Sequence, residues 1–221
     1  MAINLQKGQT IDLRKNDKGE SFDLNTVTIG LGWDVKQKNS GFLGKLFGGK
    51  EEEYDLDAIA FLLDANGKVA NSGRTVRNNN GGQVGFFEGD IIFFNSMKHT
   101  SGNIWLTGDN RTGAGDGDDE QIIVKLNALD QKYQKILFLV TIYQGTQNNQ
   151  HFGMVDNAFI RAVDARGVEI AKFNLSGDAS LNGMCSMVFA EAYRKEGEWK
   201  FRAIGEPKRT DSFVEILKNY I

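Results

Sequence analysis

Two stretches decide the fold: Leu56–Gly67 (LDAIAFLLDANG) and Asp156–Gly167 (DNAFIRAVDARG). In each, a strand-like apolar run, Ala58–Leu63 or Ala158–Val163, meets an Asp-Ala-X-Gly turn. Asp and Asn favour turns, and Gly supplies positive φ without a steric penalty, so both read as hairpins. Each follows a Val-Thr-Ile triplet, at Val27 and at Val140, which marks an internal repeat. The longer gap in the first copy is accounted for by an insertion, Lys36–Glu53 (KQKNSGFLGKLFGGKEEE). Two copies of one β-rich unit predict a single pseudo-symmetric sandwich over residues 1–221. The first repeat covers about 1–126 and the second about 136–205.

The rest of the chain agrees with an all-β, antiparallel sandwich. Thr26–Leu31, Asp90–Phe94, Asn103–Thr107, Gln121–Leu126, Ile136–Tyr143, Val168–Asn174 and Trp199–Ile204 also read as strands. With 26 Gly and one Pro the chain suits many tight connections. Helical pattern is sparse. Asn127–Gln134 is a candidate short helix, and Met184–Lys195 fits strand or helix equally. At the C-terminus Phe213, Ile216, Leu217, Tyr220 and Ile221 share a helical face behind Thr210, Asp211 and Ser212, predicting a short helix that closes one edge of the core. Trp33, Trp105 and Trp199 are expected in the core with most of the Phe residues.

A net charge of −3 argues against general nucleic-acid binding, which needs a basic face to neutralise phosphates. The start, MAINLQKG, has no basic region and long apolar run, and Cys185 is the lone cysteine, which rules out an internal disulfide and a Cys-based zinc site. No run of about 18 apolar residues occurs. The expected setting is cytoplasmic.

Charge concentrates in Gly108–Glu120 (GDNRTGAGDGDDE), where Asp109, Asp116, Asp118, Asp119 and Glu120 are countered only by Arg111. Carboxylates about 4 Å apart repel by about 4 kcal/mol at an effective dielectric near 20, so a folded loop of this kind calls for a cation, solvation or raised pKa values. Hard oxygen donors without Cys or an adjacent His favour Ca2+, with Mg2+ second. Asp109 and Glu120 do stand at the first and last positions of an EF-hand window. However, Arg111 and Gly113 occupy ligand positions, Ala114 stands where the turn demands Gly, and the flanks read as strands. It is not an EF-hand. Asp55 and Asp57, at i and i+2, leave a strand start on one face, and Asp34 ends another strand. Pooled, these carboxylates exceed what one Ca2+ collects, which predicts two ions. Asp57 is matched in the second repeat by Asn157, so the ion chemistry belongs mainly to the first.

These blocks resemble the TerD family of tellurium-resistance and stress-response proteins. The resemblance is carried by Gly30–Asp34 (GLGWD), Asp55–Ala58 (DLDA), Thr107–Glu120, Phe152–Arg161 (FGMVDNAFIR) and Glu191–Gly205 (EAYRKEGEWKFRAIG), in order over nearly the whole chain. It implies a Ca2+-binding β-sandwich encoded in bacterial tellurite and stress-response clusters, with phenotypes in tellurite, phage and colicin resistance. The ion ligands it implies are Asp34, Asp55, Asp57, Asp109, Asn110, Asp116, Asp118, Asp119 and Glu120. Expected partners are other tellurium-resistance proteins or the inner membrane surface, with no nucleic acid. The chain departs from the family pattern in Lys36–Glu53 and in Val76–Gly89.

Within the insertion, Phe42, Leu43, Leu46 and Phe47 form an apolar tip beside Asp34 and Asp55. It reads either as a Ca2+-controlled membrane or partner finger or as a loop folded on its own surface. An enzyme is not expected. His99 and His151 have no nucleophile motif around them, and neither a dinucleotide nor a phosphate loop occurs. The leading function is a non-catalytic Ca2+-dependent binding or scaffolding module. Behind it stand a Ca2+-gated membrane-surface or small-ligand module and, last, a metal-dependent phosphoesterase. Arg161, Arg194 and Arg202 are expected as paired rim residues rather than an anion patch.

Overall fold

A computed structural model describes residues 3–4, 9–12, 15, 18–35, 54–77, 81–107, 117–174 and 179–221. The strands in the first half are β1 (Ile3–Asn4), β2 (Thr10–Asp12), β3 (Val27–Val35), β4 (Leu56–Leu63), β5 (Arg74–Arg77), β6 (Gln83–Phe87), β7 (Ile91–Ile92), β8 (Ile104–Leu106) and β9 (Glu120–Val124). The second half supplies β10 (Lys135–Ile142), β11 (Val155–Val163), β12 (Glu169–Asn174), β13 (Ser186–Lys195) and β14 (Glu198–Lys208). Among the described residues two short α-helices accompany them, α1 (Gly145–Asn148) and α2 (Phe213–Leu217).

Two sheets stack face to face. The first runs β1-β12-β11-β3-β9-β8 and the second β2-β14-β13-β10-β4-β7, with β5 and β6 forming a separate hairpin. All pairings are antiparallel except the edge pair of β1 with β12, which is parallel. The repeat is distributed across both sheets. β3 lies in the first sheet and β4 in the second, whereas β10 lies in the second and β11 in the first. Like pairs with unlike at the centre: β3 against β11, and β10 against β4.

The sheets differ in what covers them. Leu56, Ala58, Ala60 and Leu62 of β4 enter the layer between the sheets, and Ile59, Phe61 and Leu63 face a second apolar layer on the outside. β4 is therefore buried at every position, so its sequence reads as a continuous apolar run. In the first sheet, β9 alternates buried and half-buried residues, as a strand covered on one face does.

Helix α2 sits on that outer face of the second sheet rather than at an edge of the main core. Phe213 lies 6.4 Å from the Phe61 ring and 5.2 Å from Phe93, while Ile216 and Leu217 are buried. Ile221, placed by periodicity on the same face, is instead 59% exposed, because the chain leaves the helix after Leu217. The ambiguous Met184–Lys195 stretch forms β13; its first residues are buried on both faces, which erases the period-two signal. The helix expected over 127–134 reduces to a 3-10 turn, Leu126–Ala128. Trp33 and Trp199 are core residues, whereas Trp105 is half-buried under Lys125, whose Nζ stands 5.8 Å from its ring.

Candidate metal centre

Topology gathers the acid-bearing segments at one end of the sandwich. β3 carries Asp34 there just before its last residue, β4 begins there behind Asp55, and β9 begins there with Glu120. The register adds a carboxylate that sequence reading missed, since Asp156 of β11 pairs directly with Asp34 of β3. Only knowledge of that pairing reveals it, because the two residues are far apart in sequence. The side chain of Asp34 lies outside the described residues, as do Asp109, Asn110 and Asp116. The same holds for the 36–53 insertion with Phe42, Leu43, Leu46 and Phe47.

The three consecutive acids that end the acidic segment take three different paths. Asp119 continues the β3 ladder past the end of β9. Its N–H donates to Leu31 O at 2.8 Å, and its Oδ2 accepts the Trp33 N–H at 2.9 Å. Glu120, only 1% exposed, reaches from the first sheet to the second, where Oε2 accepts the Ala58 N–H at 2.6 Å. That N–H lies on the side of β4 flanked by β7, beyond the two-residue reach of β7, so a side chain takes the place of the missing strand. Asp118 turns to the outer face of the first sheet. Its Oδ1 accepts Arg161 Nε at 2.7 Å, and its Oδ2 accepts Gln121 Nε2 at 3.1 Å.

The Gly30-Leu-Gly-Trp motif is explained by this crossing. A Cβ at Gly30 would overlap the Asp118 carboxyl, and one at Gly32 would meet the Phe159 ring and the Gly117 carbonyl. Two glycines thus let the end of the acidic segment lie flat on β3. Opposite Trp33, β11 carries a bulge in which Asn157 holds φ 51°. Trp33 itself is buried, and its Nε1–H meets no acceptor among the described residues.

Asp57 is 5% exposed and Asp55 half-buried, on a strand whose edge Glu120 closes. Alternation along β4 directs both Asp residues to the side of Ile59 and Phe61, while Glu120 stands on the side of Ile122. Among the described residues no three Asp, Glu, His or Cys side chains stand close enough together to hold a metal. The carboxylates placed at this end offer oxygen donors, the chemistry that suits Ca2+.

Two of the three arginines are paired with carboxylates, as expected. Arg161 binds Asp118 and, at 3.4 Å, Glu169, and its pKa is pushed up first by the Asp118 hydrogen bond. Arg202 pairs with Glu191. Arg194 donates to the carbonyls of Tyr133 and Leu129 and lies over Trp199.

His99 has neighbours that the sequence did not reveal. Its Nε2 lies 3.1 Å from Asp90 Oδ1 and its Nδ1 2.7 Å from Ser101 Oγ, while Tyr133 Oη donates to the same Asp90 oxygen at 2.6 Å. The order Ser-His-Asp resembles a hydrolytic triad. Here, however, the Ser101 N–H also donates to Nδ1 at 3.1 Å, and the Asn103 N–H donates to Ser101 Oγ at 3.2 Å. The hydroxyl closes a turn. Burial opposes ionisation of Asp90, but hydrogen bonds from His99, Tyr133 and the Asn71 N–H hold its pKa below the ordinary carboxylate range. The network is a strut between segments.

The fold is an all-β sandwich in which the glycines of β3 carry the end of the acidic segment. A family model described as TerD domain matches residues 1–220, and the chain belongs to that family of tellurium-resistance and stress-response proteins. It is similar to the tellurium resistance protein TerX of Serratia marcescens, at 59% identity over 221 residues and 100% of both chains. It is also similar to the stress response protein SCP2 of Bacillus subtilis (strain 168), at 38% identity and 100% of both chains. The tellurium resistance protein TerD of Serratia marcescens is 39% identical over 93% of this chain and 91% of its own. A solved homologue of a telluride resistance protein from Streptomyces coelicolor A3(2) shares the fold, with TM-score 0.58 and 22% identity over 86% of this chain and 94% of that one.

Proposed function

We propose that this protein is a non-catalytic Ca2+-binding module of tellurite and stress resistance, holding two ions at the acidic end of the sandwich. The observation that carries the reading is the Glu120–Ala58 link, which ties the acidic segment of the first sheet to the Asp55–Asp57 strand of the second. It sets Glu120 against the β4 backbone one residue from Asp57, and both side chains are nearly sealed from solvent. Buried carboxylates of like charge are stabilised by a nearby cation, and oxygen donors favour a hard one. Asp34, Asp55, Asp57, Asp119 and Glu120 would hold the ions together with Asp109, Asn110 and Asp116. The names of the relatives support a role in resistance to tellurium compounds and stress. On this reading the protein works in the cytoplasm through other resistance proteins, with bound Ca2+ fixing the surface they meet.

Calorimetric titration with Ca2+ tests it. Wild type is expected to take up two ions, and Asp57→Ala or Asp116→Ala to lose one or weaken it at least about tenfold. Absence of wild-type binding below about 1 mM Ca2+, the weak end of protein sites, overturns the reading.

A further inference from the structure

We propose that Arg161 is the resident cation of the acidic segment: it engages Asp118, pins the end of the segment across Gly30 and Gly32, and withdraws Asp118 from the ion-binding set. Both Asp118 oxygens already have donors, Arg161 Nε at 2.7 Å and Gln121 Nε2 at 3.1 Å. The Asp118 side chain is 2% exposed, whereas that of Arg161 is 31% exposed. The acid is thus the sealed member of the pair, and removing its cation would leave a charge buried without compensation. The partners share one cross-strand row, since Arg161 pairs with Gly30 and Gly30 with Gln121. Gly30 is the floor of that row, its missing Cβ leaving the space the Asp118 carboxyl fills. Nothing in this arrangement waits for a metal. The segment is therefore anchored at this end before any ion arrives, and the second repeat contributes a working residue to chemistry that belongs mainly to the first.

The clamp stands on geometry alone; its consequence for ion binding rests on the Ca2+ reading above. Hydrogen exchange in chelator isolates the clamp. Arg161→Gln is expected to speed exchange of the 117–121 amides about tenfold or more relative to wild type, with the exchange of β10 unchanged. Arg161→Lys, which keeps the charge but not the planar fork, is expected to fall between them. Ca2+ titration then tests the consequence. Asp118→Asn is expected to keep the full wild-type stoichiometry, while Arg161→Gln weakens binding about tenfold without removing an ion, as loss of a ligand-positioning partner does. Unchanged exchange in Arg161→Gln overturns the clamp, and loss of one ion in Asp118→Asn overturns the exclusion of Asp118 from the ligands. If wild type binds no Ca2+, the function proposed above fails while the exchange arm still decides the clamp.

Discussion

The turns Asp64–Gly67 and Asp164–Gly167 share one backbone design and differ in what they hold. In the first, Asp64 N–H donates to Lys68 O, Gly67 N–H returns to Asp64 O, and Oδ1 accepts the N–H groups of Asn66 and Lys68. In the second, Asp164, Gly167, Arg166 and Val168 repeat those four bonds. The first turn receives the C-terminus, through Val69 N–H to Tyr220 O and Lys68 Nζ to Ile221 O. The second receives the N-terminal segment, through Asp23 N–H to Asp164 Oδ2 and Arg166 to Ser21 O. A duplicated turn is thus used twice as a fastening point, once for each end of the chain. Its local chemistry stayed constant while its long-range partners diverged.

That contrast can be broken by substitution. The largest effect is expected at Asp164, whose side chain is fully buried and accepts from Asp23, Arg166 and Val168. Asp164→Ala should cost about 3 kcal/mol, read as a fall of about 9 °C in Tm, because three backbone N–H groups and the Arg166 guanidinium lose their acceptor. Burial opposes the charge of Asp164, yet those N–H groups and Arg166 hold its pKa below the usual value. A depressed folded pKa stabilises above the unfolded carboxylate range and is lost as pH falls through the folded value. The gap between wild type and Asp164→Ala should therefore narrow in strong acid, below the ordinary Asp range.

An intermediate effect is expected where the repeats diverge in backbone. Asp57 lies in regular strand, whereas its counterpart Asn157 sits at φ 51° in the β11 bulge. Asn157→Val should destabilise by about 1–2 kcal/mol, since a β-branched residue resists the left-handed region, while Asn157→Gly should be neutral or slightly stabilising. Urea unfolding of both variants measures the difference. The smallest effect belongs to Asp64, the half-buried member of the pair of turns. Asp64→Ala should shift Tm by only about 2 °C or less, and a shift as large as that of Asp164→Ala would show that the two turns are fastened equally.

Much of the fold was legible because its signals are local. The Asp-Ala-X-Gly turns, the alternation of β9 and β11 and the glycine-rich punctuation each act within a few residues. β13 was not legible, because burial on both faces removes the alternation that distinguishes strand from helix. The exposure of Ile221 was missed because helical periodicity does not say where a helix stops. Around His99, the partner Asp90 is invisible until β7 and the following turn pack together.

The acidic segment divides in the same way. Sequence alone determined that the acidic segment is rich in oxygen donors, that Gly30 and Gly32 stand close to Trp33, and that the lone Cys185 leaves no pair of thiolates within the chain. Only the tertiary structure decided how consecutive acids are used: Asp118 for Arg161, 43 residues away, Asp119 for the backbone of Trp33, and Glu120 for Ala58, 62 residues away in the other sheet. Residue type fixes what a carboxylate can accept. Which donor reaches it depends on strand register and sheet stacking, and those are properties of the folded chain.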